Sequence, residues 1–297
     1  RLGIDVWHGT HYTMPLRLTV PAVVTVHDTS FFEHPEWHER SKALFFRTMT
    51  RAAAARAAAL VAVSEFTARR IETLLAPACP VLTVPHGVDL VRFTPAAAAD
   101  PADLAVLETL GVRPPYLAFV GTLEPRKGVP DLVGAFAHLA QGHPELRLVL
   151  AGRQGWGLAS IRDAFATSGV TTRIVRPGYI PDLALAPLLR QAECVVYPSH
   201  LEGFGLPALE ALACGAALVT AQGSAMEEVA GTAALVVPPG DVEMLADTIE
   251  RVLTDDGLRS KLRAAGPPIA AEHTWGRSAA GHLAAYRTAV SARRAAA

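Results

Sequence analysis

Two hydrophobic rhythms alternate along the chain. Short, mainly apolar runs bounded by turn residues stand at 22–26, 60–64, 81–84, 116–120, 146–151, 172–175, 194–197, 217–220 and 234–237. A run that does not alternate apolar with polar positions suits a strand buried on both faces, as in a parallel sheet. Between the runs lie stretches with apolar residues at helical spacing, at 39–58, 66–75, 130–141, 158–167, 183–192, 207–213 and 242–253, then near 258–272 and 277–292. This alternation predicts an α/β fold with doubly wound parallel sheets. In such sheets ligands bind beyond the carboxyl ends of the strands. The rhythm lapses at 94–104, rich in Pro, Ala and Asp, which reads as an interdomain linker. The predicted organisation is an α/β domain over 1–100, a second over 101–275, and a last helix over 276–297 expected to return to the first.

Composition narrows the classes. At 297 residues and 51% hydrophobic, the chain can build two cores of roughly 100–200 residues each. With 27 basic against 28 acidic residues there is no cationic excess to hold nucleic acid. Cys79, Cys194 and Cys214 are far apart and unpaired in spacing. That argues against a disulfide framework or zinc site and fits a reducing, cytoplasmic location. Asparagine is absent, so no N-glycosylation acceptor exists. No apolar run reaches the span of about 18 residues that a membrane helix needs, and the alanine-rich stretch 52–63 is broken by Arg56. The opening Arg1-Leu2-Gly3-Ile4-Asp5 lacks an initiator methionine and a signal peptide's apolar core. It suggests a processed or incomplete chain.

Two segments carry chemistry. Gly121-Thr122-Leu-Glu-Pro-Arg126-Lys127-Gly128 follows the run 116–120 and precedes a helix near Pro130. A glycine-bearing loop with adjacent cations at a strand's carboxyl end suits a polyanion. Gly121 permits close backbone approach, Arg126 offers a planar fork and Lys127 a point charge. The competing explanation is a solvated basic turn. His200-Leu-Glu202-Gly203-Phe204-Gly205-Leu206-Pro207-Ala-Leu-Glu210 follows the run 194–197. Pro207 suits a helix start and Gly215 its end. Glu202 then sits in a loop and Glu210 early in a helix, whose N-terminus favours anionic or hydroxyl-rich groups. Glu210 alone could merely complement the helix dipole; Glu202 and the Gly-Phe-Gly turn are not explained that way.

Together these segments resemble the retaining GT-B glycosyltransferases of family 4. Two glutamates separated by seven residues, Glu202 and Glu210, enclose Gly-Phe-Gly-Leu-Pro. Ala151-Gly152-Arg-Gln-Gly-Trp156-Gly, Gly178-Tyr179-Ile180-Pro181, Tyr197-Pro198-Ser199 and His273-Thr-Trp275 fall in the family's order. The resemblance implies two Rossmann-like domains facing a cleft, the first incomplete at its N-terminal end. It implies that Arg126 and Lys127 grip a donor diphosphate, with Gly121 and Thr122 in the same donor-binding set. Glu210 would bind the ribose, Tyr179 and Ile180 lie beside the base, and Glu202 with Gly203, Phe204, Gly205 and Leu206 hold the transferred sugar. His27 matches a family histidine facing that sugar, although alone it reads as an ordinary strand-end histidine. Ser64 matches a cleft serine, or is simply a helix N-cap.

The implied reaction is transfer of a hexose from a nucleotide-diphosphate sugar to a glycan or lipid-linked acceptor, with retention of configuration. GDP-mannose is the first donor expected. No Asp-x-Asp motif is present, so no metal or cofactor is expected. His34-Pro-Glu36-Trp-His38 is not a zincin site, because its Glu is misplaced and Pro35 breaks the helix. Gly128 and His86 stand where the family usually has asparagine. A UDP-sugar epimerase of the same fold and an inactive nucleotide-sugar-binding remnant are the alternatives. A dehydrogenase is disfavoured because no G-x-G-x-x-G follows a strand. Arg40, Arg47 and Arg51 share one helical face, which suits either solvent or peripheral contact with the inner face of a membrane.

Overall fold

The computed structural model describes residues 3–296, which form two compact units. The first gathers the chain up to Gly87, the short segment Glu202–Phe204 and everything from His273 onward. The second gathers Val88–Leu201 and Gly205–Glu272.

The first unit runs β1 (Trp7–Gly9), β2 (Ala22–Val26), α1 (Ser30–Glu33), α2 (Arg40–Arg56), β3 (Ala59–Ala62), α3 (Glu65–Leu75) and β4 (Val81–Thr83). Its strands form one parallel sheet in the order β1-β2-β3-β4. Every residue of β2 and β3 is buried, as the mainly apolar runs required. Alternation assigns their side chains to two cores. Val24, Val26, Leu60 and Ala62 pack with Tyr12, Met14, Phe31 and Ile71 on one face. Val23, Ala59 and Val61 meet Ala285 and Ala289 of the C-terminal helix Trp275–Ala296 on the other.

The second unit runs α4 (Pro101–Thr109), β5 (Tyr116–Val120), α5 (Val129–Gly142), β6 (Arg147–Ala151), α6 (Leu158–Thr167), β7 (Ile174–Gly178), α7 (Asp182–Arg190), β8 (Cys194–Tyr197), α8 (Leu206–Ala213), β9 (Leu218–Ala221), α9 (Ala225–Ala230), β10 (Ala234–Val237), α10 (Val242–Thr254) and α11 (Asp256–Ala271). All six strands are parallel, in the order β10-β9-β8-β5-β6-β7. The winding direction reverses between β5 and β8. A crevice opens at such a reversal, outside the strands' carboxyl ends.

Two predicted elements are corrected. The stretch 94–104 is not a free linker but part of the second unit. Asp100 caps α4 by accepting from the Ala102 amide at 2.9 Å. The buried Asp103 takes the Arg190 guanidinium at 2.8 Å, and Gln191 bonds the Ala97 carbonyl at 3.1 Å. The strand placed at 172–175 begins only at Ile174, after a single 3-10 turn over Thr171–Arg173, and runs to Gly178. Its Pro177 is tolerated because β7 is an edge strand.

Candidate functional site

The second unit brings together the two chemistry-bearing loops, because they leave the neighbouring strands β5 and β8. After β5, Pro125–Lys127 forms one 3-10 turn closed by Gly128 at φ 68°. A β-carbon on Gly128 would lie 2.1 Å from the Pro198 carbonyl oxygen, so only glycine lets the loops pack. The His200 amide donates to the Arg126 carbonyl at 2.9 Å, and Arg126 Nη1 donates to the Leu201 carbonyl at 3.3 Å. Arg126 Nε also bonds Glu124 Oε2 at 2.9 Å. The guanidinium is thereby tied to Glu124 and to the β8 loop, and Lys127 follows it in the same turn, just before α5 begins at Val129. His200 Nε2 is anchored on Asp131 Oδ2 at 2.9 Å.

Beyond β5, β6 and β7 lies a cavity of about 250 Å³ lined by Gly121, Thr122, Gly152, Arg153, Tyr179 and Ile180, with Asp182 at its edge. The close backbone approach there belongs to Gly152, whose β-carbon would meet the Gly121 carbonyl at 1.9 Å. Glu210 stands on α8, which starts at Leu206 behind Gly205. Burial pushes its carboxyl up to about 7; Arg92 opposes that rise and Asp182 adds to it.

His27, Glu202, Gly203 and Phe204 are brought together within the first unit. Gly203 lies against the His27 carbonyl, and its own carbonyl accepts hydroxyl hydrogen bonds from Ser64 at 2.7 Å and Thr67 at 2.9 Å. Ser64 also accepts from the Thr67 amide at 3.0 Å, so it is at once the N-cap of α3 and an anchor for this segment. Glu202 is buried. His27 Nε2 lies 2.8 Å from the Thr10 carbonyl. A carbonyl only accepts, so Nε2 carries a proton and donates it to Thr10, which fixes the orientation of the ring. His86 stacks on His27 with centroids 5.6 Å apart and meets Phe204 edge-on at 5.0 Å. Burial drives its pKa down to about 4, so its ring is neutral near pH 7. In the sequence His86 stood out only as a departure from the family's usual asparagine, and Arg153 had no role. Only the spatial neighbours reveal them.

His34 and His38 are spent on local structure: His34 stacks on Trp37 and His38 bonds Ser30 Oγ at 2.9 Å. Among the described residues no group of three His, Cys, Asp or Glu is placed to hold a metal ion.

Two parallel α/β units, with paired loops at a reversal of sheet order, define the GT-B class of α/β protein. The sucrose-phosphate synthase of Thermosynechococcus elongatus shares the fold, with TM-score 0.80 and 22% identity over 96% of this chain and 73% of that one. So does Anabaena HepE, solved with UDP and glucose, with TM-score 0.74 and 21% identity over 91% of this chain and 71% of that one. In sequence, the O-antigen chain mannosyltransferase B of Escherichia coli is 32% identical over 91% of this chain and 71% of its own length. Residues 108–267 match the family described as Glycosyl transferases group 1, and residues 1–92 match Glycosyltransferase Family 4. The chain belongs to the glycosyl transferases group 1 family. It spans 50% of the length of the D-inositol 3-phosphate glycosyltransferase of Salinispora arenicola and 60% of that of the glycogen synthase of Mycobacterium tuberculosis.

Proposed function

We propose that this chain binds a nucleotide-diphosphate hexose and transfers the hexose to a glycan or lipid-linked acceptor with retention of configuration. The observation that carries the proposal is the lacing of the β5 loop to the β8 loop through Arg126, His200 and Leu201 at the sheet's reversal point. A fixed guanidinium, a neighbouring ammonium and a helix N-terminus form a diphosphate cradle. As the glycosidic bond breaks, charge grows on the leaving diphosphate. Preorganised cations stabilise that charge more than they stabilise the ground state. Glu210 takes the ribose hydroxyls, and the cavity beside Tyr179 and Ile180 takes the base. His27 and Glu202, with the backbone of Gly203–Leu206, hold the hexose. The mannosyltransferase relative supports mannose as that hexose. With no metal in the scheme, chelation by EDTA leaves transfer unchanged.

Transfer from radiolabelled nucleotide-diphosphate hexoses to a glycan or polyprenyl-linked acceptor tests the activity, and the product's anomeric NMR signals test retention. Donor binding without transfer would support the inactive remnant. Isomerised sugar on the nucleotide would support the epimerase. No binding at all would end the donor-site reading.

Peripheral membrane contact belongs to the same proposal. α2 carries Arg40, Lys42, Arg47, Arg51 and Arg56 and no acidic residue. Its exposed arc also presents Leu44 and Phe45, 69% and 54% exposed. This mixture suits an anionic lipid surface bearing the acceptor. Among the described residues no helix is long and apolar enough to cross a membrane.

A further inference from the structure

His200 ties the β8 loop to three other parts of the second unit, and the proposed reaction gives its side chain no task. Its amide donates to the Arg126 carbonyl in the β5 loop at 2.9 Å. Its ring reaches α5, where Nε2 lies 2.9 Å from Asp131 Oδ2. A carboxylate accepts, so Nε2 carries a proton and donates it. The ring also borders the turn before α10, with Cε1 3.7 Å from where a β-carbon on Gly240 would stand. α5 and α10 are packed closely in turn, because a β-carbon on Gly134 would come within 3.0 Å of Val242 Cγ1.

Asp131 is in the first turn of α5, two residues after its start at Val129. An acid there ordinarily turns back to bond the N-cap amide. Here that amide, of Gly128, already donates to the Pro125 carbonyl at 2.9 Å, and the carboxylate goes to His200 instead. The two side chains are 21% and 35% exposed, and a pair so open to water adds little to stability. What the pair does fix is the β8 loop. The next residue, Leu201, is buried, and its carbonyl accepts from Arg126 Nη1 at 3.3 Å. Arg126 is thus bonded at its backbone by His200 and at its guanidinium by Leu201, so a shift of this loop moves both.

We infer that Asp131 and His200 are a positioning pair that holds the Arg126 guanidinium where the leaving diphosphate gathers charge. The inference rests on the proposed role of Arg126 at the donor diphosphate. Both residues act through Arg126, and neither is assigned a contact with the donor. A cation already in place stabilises the developing charge without reorganising, and a misplacement of about 1 Å costs up to about a hundredfold in rate.

Steady-state transfer by the full chain and its variants tests the pair. His200→Ala and Asp131→Ala should each lower kcat by about tenfold to a hundredfold, move the donor KM by no more than about threefold, and melt close to the parent. The double alanine variant should lose no more than either single one, because the same hydrogen bond is missing in all three. His200→Gln, whose amide still donates, should recover transfer to within about threefold of the parent. In an Arg126→Lys background, where the planar fork is gone, His200→Ala should cost no more than about threefold further. Unchanged kcat in both alanine variants, no recovery with glutamine, or a full further loss in the Arg126→Lys background would overturn the positioning role and leave the transferase reading standing. A parent chain that transfers nothing would overturn the proposed function, and this inference with it.

Discussion

The α-carbon of Gly203 packs so tightly on the His27 carbonyl that a β-carbon would sit 1.7 Å from that oxygen. No side chain fits without moving the backbone of one or the other. Gly203→Ala should therefore displace the segment Glu202–Phe204, abolish transfer, and lower stability by about 1–3 kcal/mol through overpacking. Gly142→Ala is the matched control. It ends α5, and nothing stands within 4 Å of its added methyl. It should gain about 0.4–1 kcal/mol from reduced unfolded-state entropy. Thermal melts of the two variants, read beside a transfer assay, make the comparison. A fully active Gly203→Ala would remove this segment from the site.

The Gly203 carbonyl takes two hydroxyls, and the pair should not behave additively. Thr67→Ala removes one hydrogen bond, worth about 1 kcal/mol. Ser64→Ala removes the other together with the N-cap of α3, worth about 1 kcal/mol more. The double variant leaves a buried carbonyl unpaired, adding a penalty of about 1–3 kcal/mol that neither single change incurs. Urea denaturation of the four proteins in a double-mutant cycle would show the coupling. Strict additivity would mean that water replaces the hydroxyls.

Glu210 should make stability fall as pH rises. Burial holds its carboxyl at about 7, against 4.5 for an ordinary glutamate. The folded chain thus binds the proton more tightly than the unfolded chain. The group's contribution is intact below pH 4.5, shrinks between 4.5 and 7, and is lost above 7. The full loss is roughly 3 kcal/mol. Glu210→Gln cannot ionise, so it should melt several degrees above the parent at pH 8 and alongside it at pH 4.5. The same variant should bind nucleoside diphosphates more weakly if the carboxylate takes the ribose. Unchanged binding would detach Glu210 from the donor.

His86 acts in the opposite direction. Its ring is held neutral, with a pKa near 4 against an ordinary 6.5, chiefly because burial against His27, Phe204 and Trp275 opposes charging. Below pH 6.5 the unfolded chain binds a proton that the folded chain refuses, so stability should fall from pH 6.5 toward 4. His86→Phe keeps the stacking and removes the titration. It should flatten that acid limb of the stability curve while retaining activity. His86→Ala should flatten the limb too, but lose activity as His27 and Phe204 lose their support. Equal activity in the two variants would show that the stack does no positioning.

Much of the second unit was legible in the sequence because its central strands are unbroken apolar runs, and its two working loops follow such runs directly. Less was legible where tertiary contacts decide. β1 has three residues, too few to show a period. α4 hid inside a Pro- and Ala-rich stretch, although Asp100 before Pro101 is a regular cap signal, because its stability comes from Arg190 gripping Asp103. Glu202–Phe204 looked like one loop with Gly205 and Leu206. In the fold it belongs with the first unit, through partners more than 130 positions away in sequence. Ser64 offered two explanations in sequence, cleft serine or helix cap, and the structure gives it both a capping bond and a bond to Gly203.

The basic face of α2 gives the last test. Arg40, Arg47 and Arg51 line one edge of its exposed arc, Phe45 and Arg56 the other, and Leu44 lies between. Arg47 and Arg51 rest over the Phe32 ring, with Cζ 5.9 and 5.2 Å from its centroid, which keeps both cations on that edge. Each cation near an anionic leaflet contributes about 1 kcal/mol, falling off within a Debye length of about 8 Å at physiological salt. The chain should therefore sediment with phosphatidylglycerol vesicles, release at high salt, and ignore phosphatidylcholine vesicles. Replacing Arg40, Arg47 and Arg51 with glutamine should weaken that binding by roughly a hundredfold. Leu44→Ser with Phe45→Ser should weaken it further by removing the apolar insertion, with little effect on the melting temperature because both side chains are exposed. Binding equal on the two lipids would point to apolar adsorption alone, and no binding to either would make the face a solvated one.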